Sequence, residues 1–134
     1  MKNIILCMAI LFSSVIVKSQ SESVVFSVIS VTPCLLGDNG FVGETQFAEK
    51  NQAVIIINSK SIEMIDKAND EVNIFSITER KYDAEEDVFL FTTSDIEYGY
   101  TVLVMVKNSD NVFTITFINT QTKESFIYKT HKKM

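Results

Sequence analysis

The sequence predicts an all-β domain, an antiparallel meander of about eight strands that is either closed as a small barrel or folded as a sandwich. Three observations carry that expectation. Runs rich in β-branched and aromatic residues recur along the chain, separated by polar turns of about two to six residues. Val112–Ile118 alternates cleanly, with Phe113, Ile115 and Phe117 on one face and Thr114 and Thr116 on the other. Val88–Thr93, Tyr100–Val106 and Val112–Ile118 have few charges and no proline, so as open edges they would invite pairing between molecules. Closure hides such edges, which favours the barrel.

The chain opens on a segment that is not part of this fold. Residues 1–19, MKNIILCMAILFSSVIVKS, have the build of a secretory signal peptide: Lys2, an apolar run from Ile4 to Val17, and Val17 and Ser19 at the small-residue cleavage positions. The run is shorter than the roughly 20 apolar residues of a membrane-spanning helix, and Ser13 and Ser14 interrupt it. Cys7 follows only Ile4-Ile5-Leu6, too short a run for a lipid-anchoring cysteine. The expected mature protein is a single domain over residues 20–134, exported to the periplasm or the external medium.

The strands then follow in order. Val24–Val31 is rich in β-branched residues and stops at Pro33. Residues 32–52 are irregular, holding Pro33, Gly37, Gly40 and Gly43; Asp38-Asn39-Gly40 has turn chemistry, and a short helix around Glu44–Gln52 fits weakly. Ala53–Ile57 and Ile62–Ile65 flank Asn58-Ser59-Lys60 as a hairpin. Lys67–Asp70 turns into a strand at Val72–Thr78. The acidic turn at residues 83–87 precedes Val88–Thr93, and Ser94–Glu97 turns into Tyr98–Val106. Lys107–Asn111 leads to Val112–Ile118, and Asn119–Glu124 to a last strand, Ser125–Tyr128. Most runs fall short of the nine to eleven residues of a membrane-barrel strand, so no stable membrane insertion is expected after signal cleavage.

Charge and residue usage exclude several functions. Lys2 and Lys18 lie in the leader and no acid does, so the net charge moves from −5 for the chain to −7 for the mature domain. Nucleic acid is disfavoured because no basic stripe is present. The one basic cluster, Lys129, His131, Lys132 and Lys133, reads as a solvated tail. With the leader gone, Cys34 is the only cysteine; it either packs as a small apolar residue or forms an intermolecular disulfide.

No constellation points to catalysis. The single histidine, His131, lies near a chain end, and one histidine with one cysteine cannot assemble the usual zinc sets. The acidic clusters Asp83, Glu85, Glu86, Asp87 and Asp66, Asp70, Glu71 lack calcium-loop spacing and read as solvated turns. The glycine segment has no phosphate-binding pattern. Neither a catalytic residue, nor a metal site, nor a cofactor is expected.

The aromatics remain. Phe75, Phe126 and Tyr128, and above all Phe89, Phe91, Tyr98, Tyr100, Phe113 and Phe117, fall within or beside the strands and either fill the core or, if the sheet encloses a cavity, supply its lining against an apolar ligand. Val88–Phe91 and Val102–Val106, apolar on both faces, leave that choice open. The layout resembles lipocalin-like barrels in outline only; those usually carry Gly-x-Trp near the first strand, and this chain has no tryptophan. The expected function is a non-catalytic binding module for an apolar small molecule or another protein, monomeric or dimeric. The alternatives are a small carboxylate-dependent hydrolase, with two acids facing one cleft, and an interaction protein that dimerises through Cys34.

Overall fold

The computed structural model describes residues 23–35, 40–49 and 52–132. The expected signal peptide at 1–19 lies outside these residues, as do Gly37 and Asp38-Asn39. The strands are β1 (Val24–Leu35), β2 (Phe41–Val42), β3 (Gln46–Phe47), β4 (Ala53–Ile57), β5 (Ser61–Asp66), β6 (Glu71–Asp83), β7 (Val88–Asp95), β8 (Thr101–Ser109), β9 (Val112–Asn119) and β10 (Glu124–Lys132). From β4 to β10 each strand pairs antiparallel with the next, and β1 pairs with β4 on one edge and β10 on the other. The meander is therefore a closed barrel of eight strands, β1 and β4 to β10, and not a sandwich.

β2 and β3 extend the line of β4 along β1: Val42 opposes Cys34, Phe47 opposes Ser30, and Val54 opposes Ser27. Among the described residues, strand pairing along β1 is interrupted between β3 and β4. The helix expected around Glu44–Gln52 is not formed; among its described residues are β3 and a turn in which the Gln52 amide donates to the Glu49 carbonyl at 3.0 Å. Pairing with the long β1 outweighs the weak helical pattern there.

Other boundaries also differ from expectation, among them the end of β6, which runs on from the expected Thr78 to Asp83. β1 continues through Pro33 to Leu35 because the missing N–H points to the interrupted β2–β3 side, while Pro33 still opposes Phe126 of β10. β10 runs on to Lys132, so Lys129, His131 and Lys132 belong to the strand that closes the barrel, with Lys132 opposite Phe26, and not to a tail. β8 begins only at Thr101. Asp95 Oδ1 accepts from the Glu97 and Tyr98 amides, and Gly99 adopts φ 75°, so Tyr98 and Tyr100 sit on a turn.

The two ends of the barrel differ. At one end, with the turns at 58–60, 84–87 and 110–111, inward side chains fill the interior: Phe26, Ile55, Ile57, Ile62, Phe89, Phe91, Val104, Val106, Phe113 and Ile115 are all buried. Phe26 and Phe113 pack with ring centroids 5.2 Å apart. The other end, with the turns at 67–70, 96–100 and 120–123, is hollow. The outer wall carries Glu63, Glu79, Lys81, Lys107, Thr114 and Lys129 beside scattered apolar residues, opposite to the apolar-out, polar-in pattern of a membrane barrel. The second faces of β7 and β8 lie on this wall, where Leu90 and Met105 are half-buried and Leu103 is exposed.

Turn chemistry sets the register of the β8–β9 hairpin. Asp110 and Asn111 have φ 51° and 69°, as a two-residue type I′ turn requires. Asn111→Val is expected to lower stability by about 1 kcal/mol because a β-branched residue resists this conformation, whereas Asn111→Gly should not. Urea unfolding of both variants checks the difference.

Candidate functional site

The hollow end contains a cup of about 290 Å³, lined by Met64 of β5, Asn73 and Phe75 of β6, Asp95 of β7, Val102 of β8, Phe117 and Asn119 of β9, and Glu124, Phe126 and Tyr128 of β10. Strand alternation puts these side chains inside, since Phe75 opposes Asp95, Val102 opposes Asn119 and Phe117 opposes Phe126. An adjoining hollow of about 180 Å³ lies at the break between β3 and β4; Val28, Val31, Phe47, Ala53 and Asp66 are among its lining residues. Met64 and Tyr128 line both spaces and so stand between them.

The wall of the cup is aromatic. Phe117 packs against Phe75 with centroids 5.3 Å apart and meets Tyr128 edge-on at 5.5 Å. The rim is unusually apolar for a surface: Phe126 is 40% exposed and Ile96 63%, and Tyr98 and Tyr100 stack at 6.0 Å beside it. Depth ends where the packed half of the barrel begins.

Polar groups enter from the strand ends. Asp95 reaches the cup while its Oδ1 holds the 95–98 turn together. In the adjoining hollow, Asp66 Oδ1 accepts from the Ala68 and Asn69 amides, and Oδ2 accepts from Asn69 Nδ2 at 2.8 Å. Burial, reinforced by the Asp66 carboxylate, pushes the Tyr128 phenol up to about 12. That shift has a defined consequence for stability. The folded protein holds the Tyr128 proton more tightly than the unfolded chain, whose phenol ionises near 10. The contribution is complete below pH 10 and is lost upward to about pH 12, at about 1.4 kcal/mol per pH unit. Urea unfolding from pH 9 upward should show this decline, and Tyr128→Phe should reduce its slope.

Among the described residues, two side chains elsewhere hold buried polar atoms without a partner. Asn108, 2% exposed at the packed end, makes no side-chain hydrogen bond among the described residues. Arg80 Nη2 donates to the Ser59 carbonyl, while its buried Nη1 has no partner among the described residues.

The residues singled out from the sequence divide among three places. Phe117 lines the cup. Phe89, Phe91 and Phe113 are buried in the barrel interior, and Tyr98 and Tyr100 lie at the rim turn. Cys34 is half-buried on β1, opposite Val42 and Ser125, with Sγ 4.0 Å from the Thr32 carbonyl. Phe75, Phe126 and Tyr128, aromatics that the sequence offered for a cavity without singling them out, line the cup as well, whereas sequence reading missed Met64, Asp95 and Glu124. Period-two spacing could have placed Phe126 and Tyr128 on one face, but not which end of the barrel is empty. No group of His, Cys, Asp and Glu among the described residues is arranged to hold a metal ion. No helix among the described residues is long and apolar enough to cross a membrane. No protein-family model, curated protein or solved structure matches the chain.

Proposed function

We propose that this protein is a non-catalytic exported binding module that holds a small ligand with an apolar body in the cup at the open end of the barrel. The observation that carries this reading is the asymmetry of the interior. One half is filled with side chains, while the other keeps a hollow of about 290 Å³ with an aromatic wall and an apolar rim. Ligand sites are concave, mostly apolar and start at roughly this size, about 300 Å³.

A neutral environment-sensitive fluorophore, N-phenyl-1-naphthylamine, tests it. One equivalent should bind with enhanced emission. Met64→Trp, which fills the space between the two hollows, should weaken binding by about tenfold or more, since a bulky side chain displaces the ligand body. Leu103→Trp on the outer wall should leave it unchanged. Binding that ignores Met64→Trp would place the dye on the outer wall and remove the proposal.

A protein partner is the second reading, supported by the β2–β3 segment. Among the described residues these strands pair only with β1, and Val42 and Phe47 are 72% and 80% exposed there, as an edge open to strand addition would be. A dimer through Cys34 would use the same side of β1, and non-reducing electrophoresis of the exported protein reads it directly. The hydrolase alternative draws support from Asp95 and Glu124 lining one cup. It requires turnover of a chromogenic glycoside or ester that Glu124→Gln abolishes.

A further inference from the structure

We propose that the cup selects amphiphilic cations, molecules with an apolar body and one protonated amine, over neutral or anionic ligands of the same shape; this deepens, and rests on, the reading of the cup as a ligand site. The lining chemistry carries the inference. Asp95 and Glu124 face the cup and Asp66 the adjoining hollow, while among the described residues no lysine, arginine or histidine lines either space. Among the described residues none of the three forms an ion pair, the one salt bridge being Lys81–Glu79 on the outer wall. Asp95 commits Oδ1 to turn amides, and the Glu124 carboxylate makes no hydrogen bond among the described residues. Acceptors without donors therefore face a partly enclosed space, where water screens a charge less than it does on open surface.

The aromatic wall points to the same class. The rings of Phe75, Phe117 and Tyr128 line the same cup as the two carboxylates, and their faces attract a cation while their area accepts an alkyl or aryl body. A carboxylate-bearing ligand such as a fatty acid would meet like charge at the mouth and no donor of positive charge. An ammonium group has three N–H donors for the free acceptors of Asp95 and Glu124, with the apolar tail running toward Met64.

The test uses n-octylammonium, n-octanol and n-octanoate, three probes of one tail and different charge, each displacing N-phenyl-1-naphthylamine from the full domain. Octylammonium should bind about tenfold tighter than octanol, and octanoate weakest, with the preference shrinking as salt is raised. In Asp95→Asn/Glu124→Gln the amine preference should fall to about twofold or less while octanol affinity is retained. Asparagine keeps the side-chain oxygen that caps the turn, so the fold is preserved. Octanol binding as tightly as octylammonium, or a preference that survives the double variant, would overturn the inference and leave the cup as a ligand site. Failure of all three probes and of the fluorophore would instead overturn the reading of the cup itself.

Discussion

Phe26→Ala is expected to destabilise the barrel by about 4 kcal/mol, whereas Phe126→Ala should cost less than about 1 kcal/mol. Both are phenylalanines on inward-facing positions of adjacent strands, so composition and pattern do not distinguish them. Phe26 has no exposed surface and packs at 5.2 Å against Phe113 in the filled half of the barrel. Its removal leaves a cavity among Ile55, Phe113 and their neighbours, which the closed sheet cannot collapse around. Phe126 is 40% exposed on the wall of the cup, so truncation enlarges a space that already reaches solvent. A loss near 4 kcal/mol is a large share of the 5–15 kcal/mol typical of a domain. Urea midpoints with unchanged slopes measure both losses, and equal losses would contradict a barrel filled at one end and hollow at the other.

Gly43→Ala is expected to cost about 2 kcal/mol through a contact invisible in the sequence. A Cβ at Gly43 would stand 2.7 Å from Pro33 Cγ and 3.2 Å from the Pro33 carbonyl oxygen. A pyrrolidine ring cannot swing aside as a flexible side chain would, and the Gly43 amide donates to that same carbonyl at 2.7 Å. The added methyl must therefore push β1 and the β2–β3 segment apart. Pro33→Ala/Gly43→Ala removes the ring atom and should recover much of the loss, so a double-mutant cycle should report coupling near 1 kcal/mol. Additive losses would mean that the cost of the methyl lies elsewhere.

The strands themselves were legible. Alternation in Val112–Ile118 and apolar runs at Ala53–Ile57 and Val88–Thr93 are local properties, and each falls within an observed strand. Boundaries were less legible where a partner strand decides them. Leu35 is in a strand because Glu124 lies opposite, and His131 because Ser27 does. Tyr98 has a strand-former's side chain, yet the Asp95 carboxylate holds its amide in a turn.

The site was legible only in part. Phe117 could be named as a cavity residue from its alternation, but Phe113, four residues earlier on the same face, is equally apolar and lies in the filled half. Asp95 and Glu124 read from sequence as turn residues, yet Asp95 is the last residue of β7 and Glu124 the first of β10, and that place at a strand end is what brings them to the cup. Such a role depends on neighbours nearly thirty positions away.

What the sequence by itself determined is the all-β class, the meander order and the inward face of most strands, because strand periodicity and turn chemistry act between near neighbours. The pairing of β1 with both β4 and β10, the passage of β1 through Pro33, and the hollow under Phe126 were decided by tertiary structure. Closure brings residues about a hundred positions apart into register, as Phe26 and Lys132 show. Whether inward side chains fill the space then depends on their summed volumes around the ring, a property of eight strands together that no single strand carries.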